Sequence, residues 1–140
     1  MTRWTAAIAA TAVLSGLGTF AFAMRASGDS TASAREAHGV AVEFFRAQNE
    51  RRYDDLCRLF ARGFYRAHAL RDPRTCTAVL RVALTWSGRI TFRVGAVTRE
   101  GNRLTVQALA DGSPGRIVLV RENGNLRILA VEDTRAVPPS

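Results

Sequence analysis

The hydrophobic positions of this chain change their period along the sequence. Between Ala37 and Phe45 the apolar residues recur three and four positions apart, which is typical of one helix face. From Arg89 onwards apolar and polar residues alternate, which is typical of strands with one buried face. The pattern therefore predicts an α+β domain in which helices precede an antiparallel sheet.

Three helices are predicted. The first covers about 34–52, begins with the capping-box pair Ser33 and Glu36, and presents Phe44 and Phe45 to a core. The next two begin at acidic residues, because carboxylates favour the positive end of a helix. These start signals are Asp54 and Asp55 for the second helix and Asp72-Pro73 for the third. The inner face of the third helix is predicted to hold Cys76, Val79, Leu80, Ala83 and Leu84.

Four antiparallel strands are predicted between Arg89 and about Val131. A break in the alternation at Gly95 predicts a β-bulge, which bends a strand. Hairpin turns are expected at 100–102 and at Asn123-Gly124, with a longer loop at 111–115. The second strand turns Leu104, Val106, Ala108 and Ala110 inward. Together these elements predict three helices packed on one face of a curved four-stranded sheet.

The residues from Trp4 to Met24 carry no charge, and two interpretations of them stay open. Ala21-Phe22-Ala23 has the small-x-small form of a signal-peptidase site, so residues 1–24 can be a cleaved signal peptide. Alternatively, residues 4–24 are long enough to remain as a membrane anchor, because about 20 apolar residues span a bilayer. Both interpretations predict that residues 25–140 lie outside the cytoplasm, secreted or anchored to the cytoplasmic membrane.

Composition divides the remainder of the chain into three parts. Residues 25–32 are small and polar, which predicts a flexible spacer. Residues 33–134 carry the helix and strand patterns and form the predicted domain. Residues 135–140 are left as a tail.

Cys57 and Cys76 are the only cysteines. In an exported protein such a pair is expected to form a disulfide, here closing a loop of about twenty residues. The bridge would stabilise the fold by about 3 kcal/mol through the unfolded state. Neither C-x-x-C redox spacing nor histidine at zinc-ligand spacing accompanies the pair, so no metal is expected.

Positive charge is spread along the chain, which has 20 arginines, no lysine and a net charge of +8. Arg58, Arg62 and Arg66 step by four and predict a basic helical face. The simpler interpretation is a solvated face partly paired with neighbouring acids; the alternative is contact with an anionic lipid surface. Nucleic acid is not an expected partner, because no aromatic residues interleave this stripe.

The chemistry-bearing side chains are few. Tyr65, His68, Asp72 and Trp86 could line the mouth of a pocket, with His68 as a base and Asp72 as its orienting group, although a packed tyrosine and a solvated histidine explain them more simply. The sequence contains no phosphate loop, dinucleotide fingerprint or G-x-S-x-G motif. We therefore assign no catalytic residue and no cofactor.

Three features together resemble a known family. They are the segment from Arg35 to Ala47, the Cys57 and Cys76 pair between two helices, and the closing hairpin V-R-E-N-G-N-L-R-I-L at 120–129. The combination is similar to small exported bacterial members of the nuclear transport factor 2-like, or SnoaL-like, superfamily. The resemblance covers about 34–132 and implies a cone-shaped α+β fold that often leaves a pocket. Members of that superfamily include isomerases, polyketide cyclases, dehydratases and proteins without known activity.

Two hypotheses for function follow. The preferred one is a non-catalytic exported domain that binds a protein partner or a small ligand at the cell envelope. The alternative is a small-molecule isomerase, cyclase or hydrolase that uses the interior of the cone. A cone filled by Phe44, Phe45, Phe60 and Leu80 would argue against the enzyme. The resemblance also makes a homodimer plausible, with exposed contacts expected at Leu109, Val118 and Val120.

Overall fold

The computed structural model describes residues 27–85 and 88–134. Four helical segments come first in this part of the chain: α1 (Ser27–Asn49), α2 (Tyr53–Arg58), α3 (Arg62–Ala67) and α4 (Pro73–Ala83). Four strands follow: β1 (Phe92–Glu100), β2 (Arg103–Ala110), β3 (Ser113–Glu122) and β4 (Asn125–Asp133). They form one antiparallel sheet in chain order, so the predicted α+β class with helices on a four-stranded sheet is confirmed.

The chain divides into two units, Met1–Ser33 and Ala34–Ser140, and the sheet and core belong to the second. The N-terminal segment interpreted as a signal peptide or anchor, and the tail at 135–140, lie outside the described residues. Within the described ranges, no helix is both long enough and apolar enough to cross a membrane.

The first helix begins earlier than predicted. It starts at Ser27, so residues 27–32 are helical where a flexible spacer was expected, and Ser33 is not its N-cap. Glu36 is therefore not part of a capping box at the start of this helix, as the sequence predicted it would be. Its carboxylate instead accepts hydrogen bonds from the Arg121 guanidinium, at 3.0 Å, and from the Leu126 backbone N–H, at 3.4 Å. The side chain thus ties α1 to the last hairpin.

The second predicted helix is two helices. Between α2 and α3 the segment Leu59–Ala61 forms a short parallel bridge with β4. The Ala61 N–H donates to the Ile128 carbonyl at 2.8 Å, and the Ile128 N–H donates to the Leu59 carbonyl at 2.7 Å. An edge strand offers unpaired backbone groups, and these bonds satisfy two of them on β4. The described chain therefore has four helical segments where three were predicted.

The core lies between α1 and one face of the sheet. Phe44 and Phe45 are buried as predicted, together with Ala37 and Ala41 on the same helix face. Burying each ring contributes about 1.5–3 kcal/mol. The sheet supplies the other side of the core through Leu104, Val106, Ala108, Ile117, Leu119, Leu126 and Ile128.

The strand turns agree with the sequence in part. The register between β1 and β2 shifts from Val94 to Val97, which confirms the predicted bulge at Gly95. Asn123 and Gly124 both have positive φ, as a type I′ hairpin requires. The loop predicted at 111–115 is wrong, however. Asp111 and Gly112, also at positive φ, make a two-residue turn, and β3 begins at Ser113.

The disulfide is confirmed. Cys57 on α2 and Cys76 on α4 are bonded, with their Cα atoms 6.0 Å apart, and both residues are buried. The disulfide turns the Cys76 side of α4 towards the core. Leu80 and Leu84, which lie four and eight residues after Cys76 on the same face, also pack against the core. Val79 and Ala83, predicted to face inward, are exposed.

The outer face of the sheet departs from the sequence expectation at Val118 and Val120. Val118, predicted to be exposed at a dimer contact, is only 8% exposed. It lies in a cross-strand row between Thr105 and Ala130, whose side chains flank it on both sides. Leu109 is 38% exposed, and Val120 is half-buried. The homodimer stays a prediction, without Val118 as an exposed contact.

Two glycines are expected to respond oppositely to alanine. A Cβ at Gly115 would lie 2.9 Å from the Glu132 backbone oxygen, whereas a Cβ at Gly39 on α1 meets nothing within 4 Å. We expect Gly115→Ala to destabilise the fold by about 1–3 kcal/mol, because the β3–β4 backbones must separate. Gly39→Ala should stabilise it by about 1 kcal/mol through helix propensity. Urea unfolding monitored by circular dichroism measures both, and equal effects would contradict the β3–β4 packing.

Reduction of the disulfide should destabilise the oxidised protein by about 3 kcal/mol, because the closed loop limits the unfolded chain. Urea unfolding with and without dithiothreitol measures this difference. The double variant Cys57→Ala/Cys76→Ala is the control, since its midpoint should not depend on the reductant. An unchanged wild-type midpoint under fully reducing conditions would show that the bridge adds no stability.

Candidate functional site: a basic groove beside the disulfide

A surface groove of about 250 Å³ lies where α2, α3 and the start of α4 meet the β3–β4 hairpin. We call it the basic groove, and it is lined by Cys57, Arg58, Phe60, Arg62, Tyr65, Pro73, Glu122 and Arg127. Two structural links bring these elements together. The disulfide joins α2 to α4, and the bridge between Phe60 and Ile128 holds the break between α2 and α3 against β4.

Three arginines and one glutamate carry the charge of the basic groove. Arg127 donates from its guanidinium to the Arg58 backbone carbonyl, which fixes its side chain against α2. The Arg58 guanidinium is largely exposed and has a long contact of 3.4 Å with Asp55. Arg62 uses its backbone N–H, not its side chain, to bond Glu122 at 3.1 Å. The residues that line the groove thus carry three positive charges against one negative charge.

Tyr65 forms a wall of the basic groove and is not placed as a proton donor to solvent. Its hydroxyl donates to the Cys57 carbonyl at 2.6 Å, a bond that fastens α3 to α2. Burial raises the pKa of Tyr65, and the nearby charge of Arg127 opposes that rise. The phenol therefore stays protonated at neutral pH and acts as a structural tie with one face towards the groove.

Neither His68 nor Asp72, which were also predicted at the pocket mouth, is among the residues that line this groove, although the charge of Asp72 acts on Tyr65. His68 is exposed at the end of α3, and its ring centroid lies 4.3 Å from that of Phe64. Asp72 is the N-cap of α4, where its carboxylate accepts from the Thr75 N–H at 2.8 Å and from the Thr75 hydroxyl at 3.1 Å. Trp86 lies outside the described residues. The described residues contain no hydrogen bond or ion pair between His68 and Asp72, and the Asp72 carboxylate serves the helix cap.

The predicted basic stripe is divided by the fold. Arg58 and Arg62 line the basic groove, whereas Arg66 is exposed outside its lining. Arg127 and Glu122 complete the groove, and spacing within a helix cannot identify them. For Arg127 the sequence offers one signal, the alternation along β4. Arg127 lies between the buried Leu126 and Ile128, so its side chain is on the face of β4 opposite to theirs.

A second groove, of about 220 Å³, lies beside the turn from α1 to α2, and several of the charged residues that line it contact one another or their neighbours. Arg52 contacts the carboxylates of Glu43 at 2.7 Å, Asp55 at 2.8 Å and Glu50 at 2.6 Å. The hydrogen bonds that Arg52 donates to Glu43 first, then to Asp55 and Glu50, raise the pKa of Arg52 above its ordinary value. Asp54 in the same groove accepts from the Thr77 hydroxyl at 2.9 Å. These contacts explain Asp54 and Asp55 as structural residues.

Metal coordination has no candidate in residues 27–85 and 88–134. No three histidine, cysteine or acidic side chains there are grouped so that they could hold an ion. The arginine-lined basic groove is instead suited to hydrogen-bond and ion-pair contacts with an anion, because a guanidinium matches the geometry of a carboxylate or phosphate.

The cap formed by Asp72 should make part of the stability depend on pH. Hydrogen bonds from the Thr75 backbone lower the pKa of Asp72 below its ordinary value of 3.8. Its contribution is therefore complete above about pH 4 and is lost as the pH falls through the folded-state pKa. We expect the stability difference between the wild type and Asp72→Ala, measured by urea unfolding, to shrink between pH 6 and pH 3.

The variant Asp72→Asn provides the control for this cap. An asparagine also caps a helix but does not titrate, so its advantage over alanine should stay constant with pH. If the wild type and the asparagine variant lost stability in parallel, the ionised cap would not be the source of the pH dependence.

Comparison with known proteins adds no assignment for these residues. The chain matches no protein-family model, and no curated protein sequence matches it. The functional interpretation therefore depends on the geometry of the basic groove and on the packing of the interior.

Proposed function

We propose that this protein is a non-catalytic exported domain that binds an anionic group of a protein partner or small ligand at the cell envelope. The ligand contacts the basic groove, with Arg58, Arg62 and Arg127 as the cationic residues. The observation that carries this proposal is the combination of a filled interior with a positively charged groove on the surface.

The filled interior argues for binding at the surface over a reaction inside the fold. Five phenylalanine rings form a continuous row from β1 to α3, here called the aromatic row. Along it, neighbouring ring centroids are 4.9, 5.1, 6.4 and 3.9 Å apart. The row runs through Phe92, Phe45, Phe44, Phe60 and Phe64. Such close packing leaves no space for a substrate between these rings, which favours binding at the surface.

The disulfide supports a location outside the cytoplasm. Reducing systems keep thiols free in the cytosol, whereas exported proteins retain disulfides. The bond between Cys57 and Cys76 also lies directly beside the proposed binding surface, since Cys57 lines the basic groove. An oxidising compartment would therefore preserve the shape of the groove.

The relationship to the nuclear transport factor 2-like superfamily is part of the proposal. Its support is the order of helices before a four-stranded antiparallel sheet, together with two register shifts, at Val94/Val97 and Val118/Leu119. Shifts of this kind bend a sheet, as a cone requires. A solved structure with a flat sheet over residues 92–133 would contradict this relationship.

The first experiment is a titration of the isotopically labelled full-length protein with two anionic probes, inorganic phosphate and a short oligoglutamate peptide. We expect amide signals of 58–65 and 122–127 to shift, with the stronger response identifying the preferred anion. Arg62→Gln should weaken binding about fivefold or more, because the lost charge-assisted contact is worth at least about 1 kcal/mol.

Arg103→Gln is the matched control. Arg103 is also exposed, but it lies on β2 away from the residues that line the groove. Its loss should leave both titrations unchanged. Equal weakening by the two variants would indicate attraction by net charge alone, and shifts confined to other parts of the chain would overturn the groove as the site.

A further inference from the structure

Helix α4 turns an apolar ridge towards solvent. Its buried side is formed by Cys76 with Leu80 and Leu84. On the opposite side Val82 is 74% exposed and Val79 is 48% exposed, with the exposed Ala78 beside them. Residues three and four apart share a helix face, so these side chains form one surface, here called the α4 ridge. Val79 and Val82 are two of the four large hydrophobic residues that are exposed in the described chain.

Positive charge surrounds the α4 ridge. Arg71, Arg74 and Arg81 are exposed, and none of them forms a salt bridge with a residue of the described ranges. The helix itself contains no acidic residue between Pro73 and Ala83. The carboxylate at its N-terminus belongs to Asp72, which is held by the cap.

We propose that the α4 ridge docks on an anionic lipid bilayer, with Val79 and Val82 entering the interface and Arg74 and Arg81 contacting lipid phosphates. An amphipathic helix with an apolar face and basic flanks binds membranes through both contributions. A second copy of this chain is a poorer occupant, because it would bring the same arginines against each other. This proposal does not depend on an anion binding in the basic groove.

The test measures proximity to lipid at individual backbone positions of the full-length chain. The labelled protein is added to bicelles that contain phosphatidylglycerol or only phosphatidylcholine, each with a trace of lipid carrying a nitroxide headgroup. Enhanced relaxation of the amides at 78–83 is expected in the anionic bicelles and not in the neutral ones. The amide of Val131, on β4, is the internal reference. Attachment through another segment would also bring α4 near the lipid, so substitutions on the ridge itself decide which segment docks.

Substitutions separate the apolar contribution from the charged one. Val82→Gln should reduce the enhancement on α4 about tenfold, since the transfer of one valine is worth about a factor of ten. Val131→Gln, at a valine that is 45% exposed on β4, should leave it unchanged. Arg74→Gln/Arg81→Gln should weaken docking about fivefold for each charge, whereas Arg93→Gln/Arg103→Gln on the sheet should not.

Three results would overturn the proposal. The first is the absence of relaxation enhancement on α4 in anionic bicelles. The second is equal enhancement in neutral bicelles, which would remove the role of charge. The third is a shift of the α4 signals with protein concentration in the absence of lipid, which would make a second copy the occupant of the ridge.

Discussion

The aromatic row is the interaction on which the other features of the domain depend. It connects the first strand, the long helix and the short helical segments through ring contacts that leave little freedom in how these elements meet. Because Phe60 belongs both to this row and to the bridge with β4, packing in the interior also sets the position of the break between α2 and α3. The interior is thus occupied by the side chains that define the fold.

The outside is shaped by a few long-range links. The disulfide, the hydroxyl of Tyr65 and the guanidinium of Arg127 all attach to the short helix α2 or its carbonyls. A helix of six residues would not be stable alone, because ordering the backbone of the first turn loses more conformational entropy than its hydrogen bonds compensate. Its neighbours hold it, and the same contacts position the arginines of the basic groove. The fold and the proposed binding surface therefore depend on the same contacts.

The sequence was informative where one local rule determined the outcome. Period changes located the helices and strands, Gly95 marked the bulge, and the cysteine pair indicated the disulfide. The sequence did not predict features that depend on contact with a residue far away along the chain. The segment Leu59–Ala61 continues a helical pattern, and only the open edge of β4 makes it a bridge. Helical spacing predicted that Arg58 and Arg62 share a face. It could not predict Arg127, which lines the basic groove only because β4 lies beside α2.

The two edges of the sheet are protected by different means. On β4, the segment Leu59–Ala61 forms hydrogen bonds with the N–H and the carbonyl of Ile128, two groups that another chain could otherwise pair with. On β1, the bulge interrupts the regular ladder, and the exposed Arg93 and Arg99 add charge. Both devices oppose the addition of a foreign strand. A protein of this design can therefore refold at high local concentration with little tendency to form fibrils through its sheet edges.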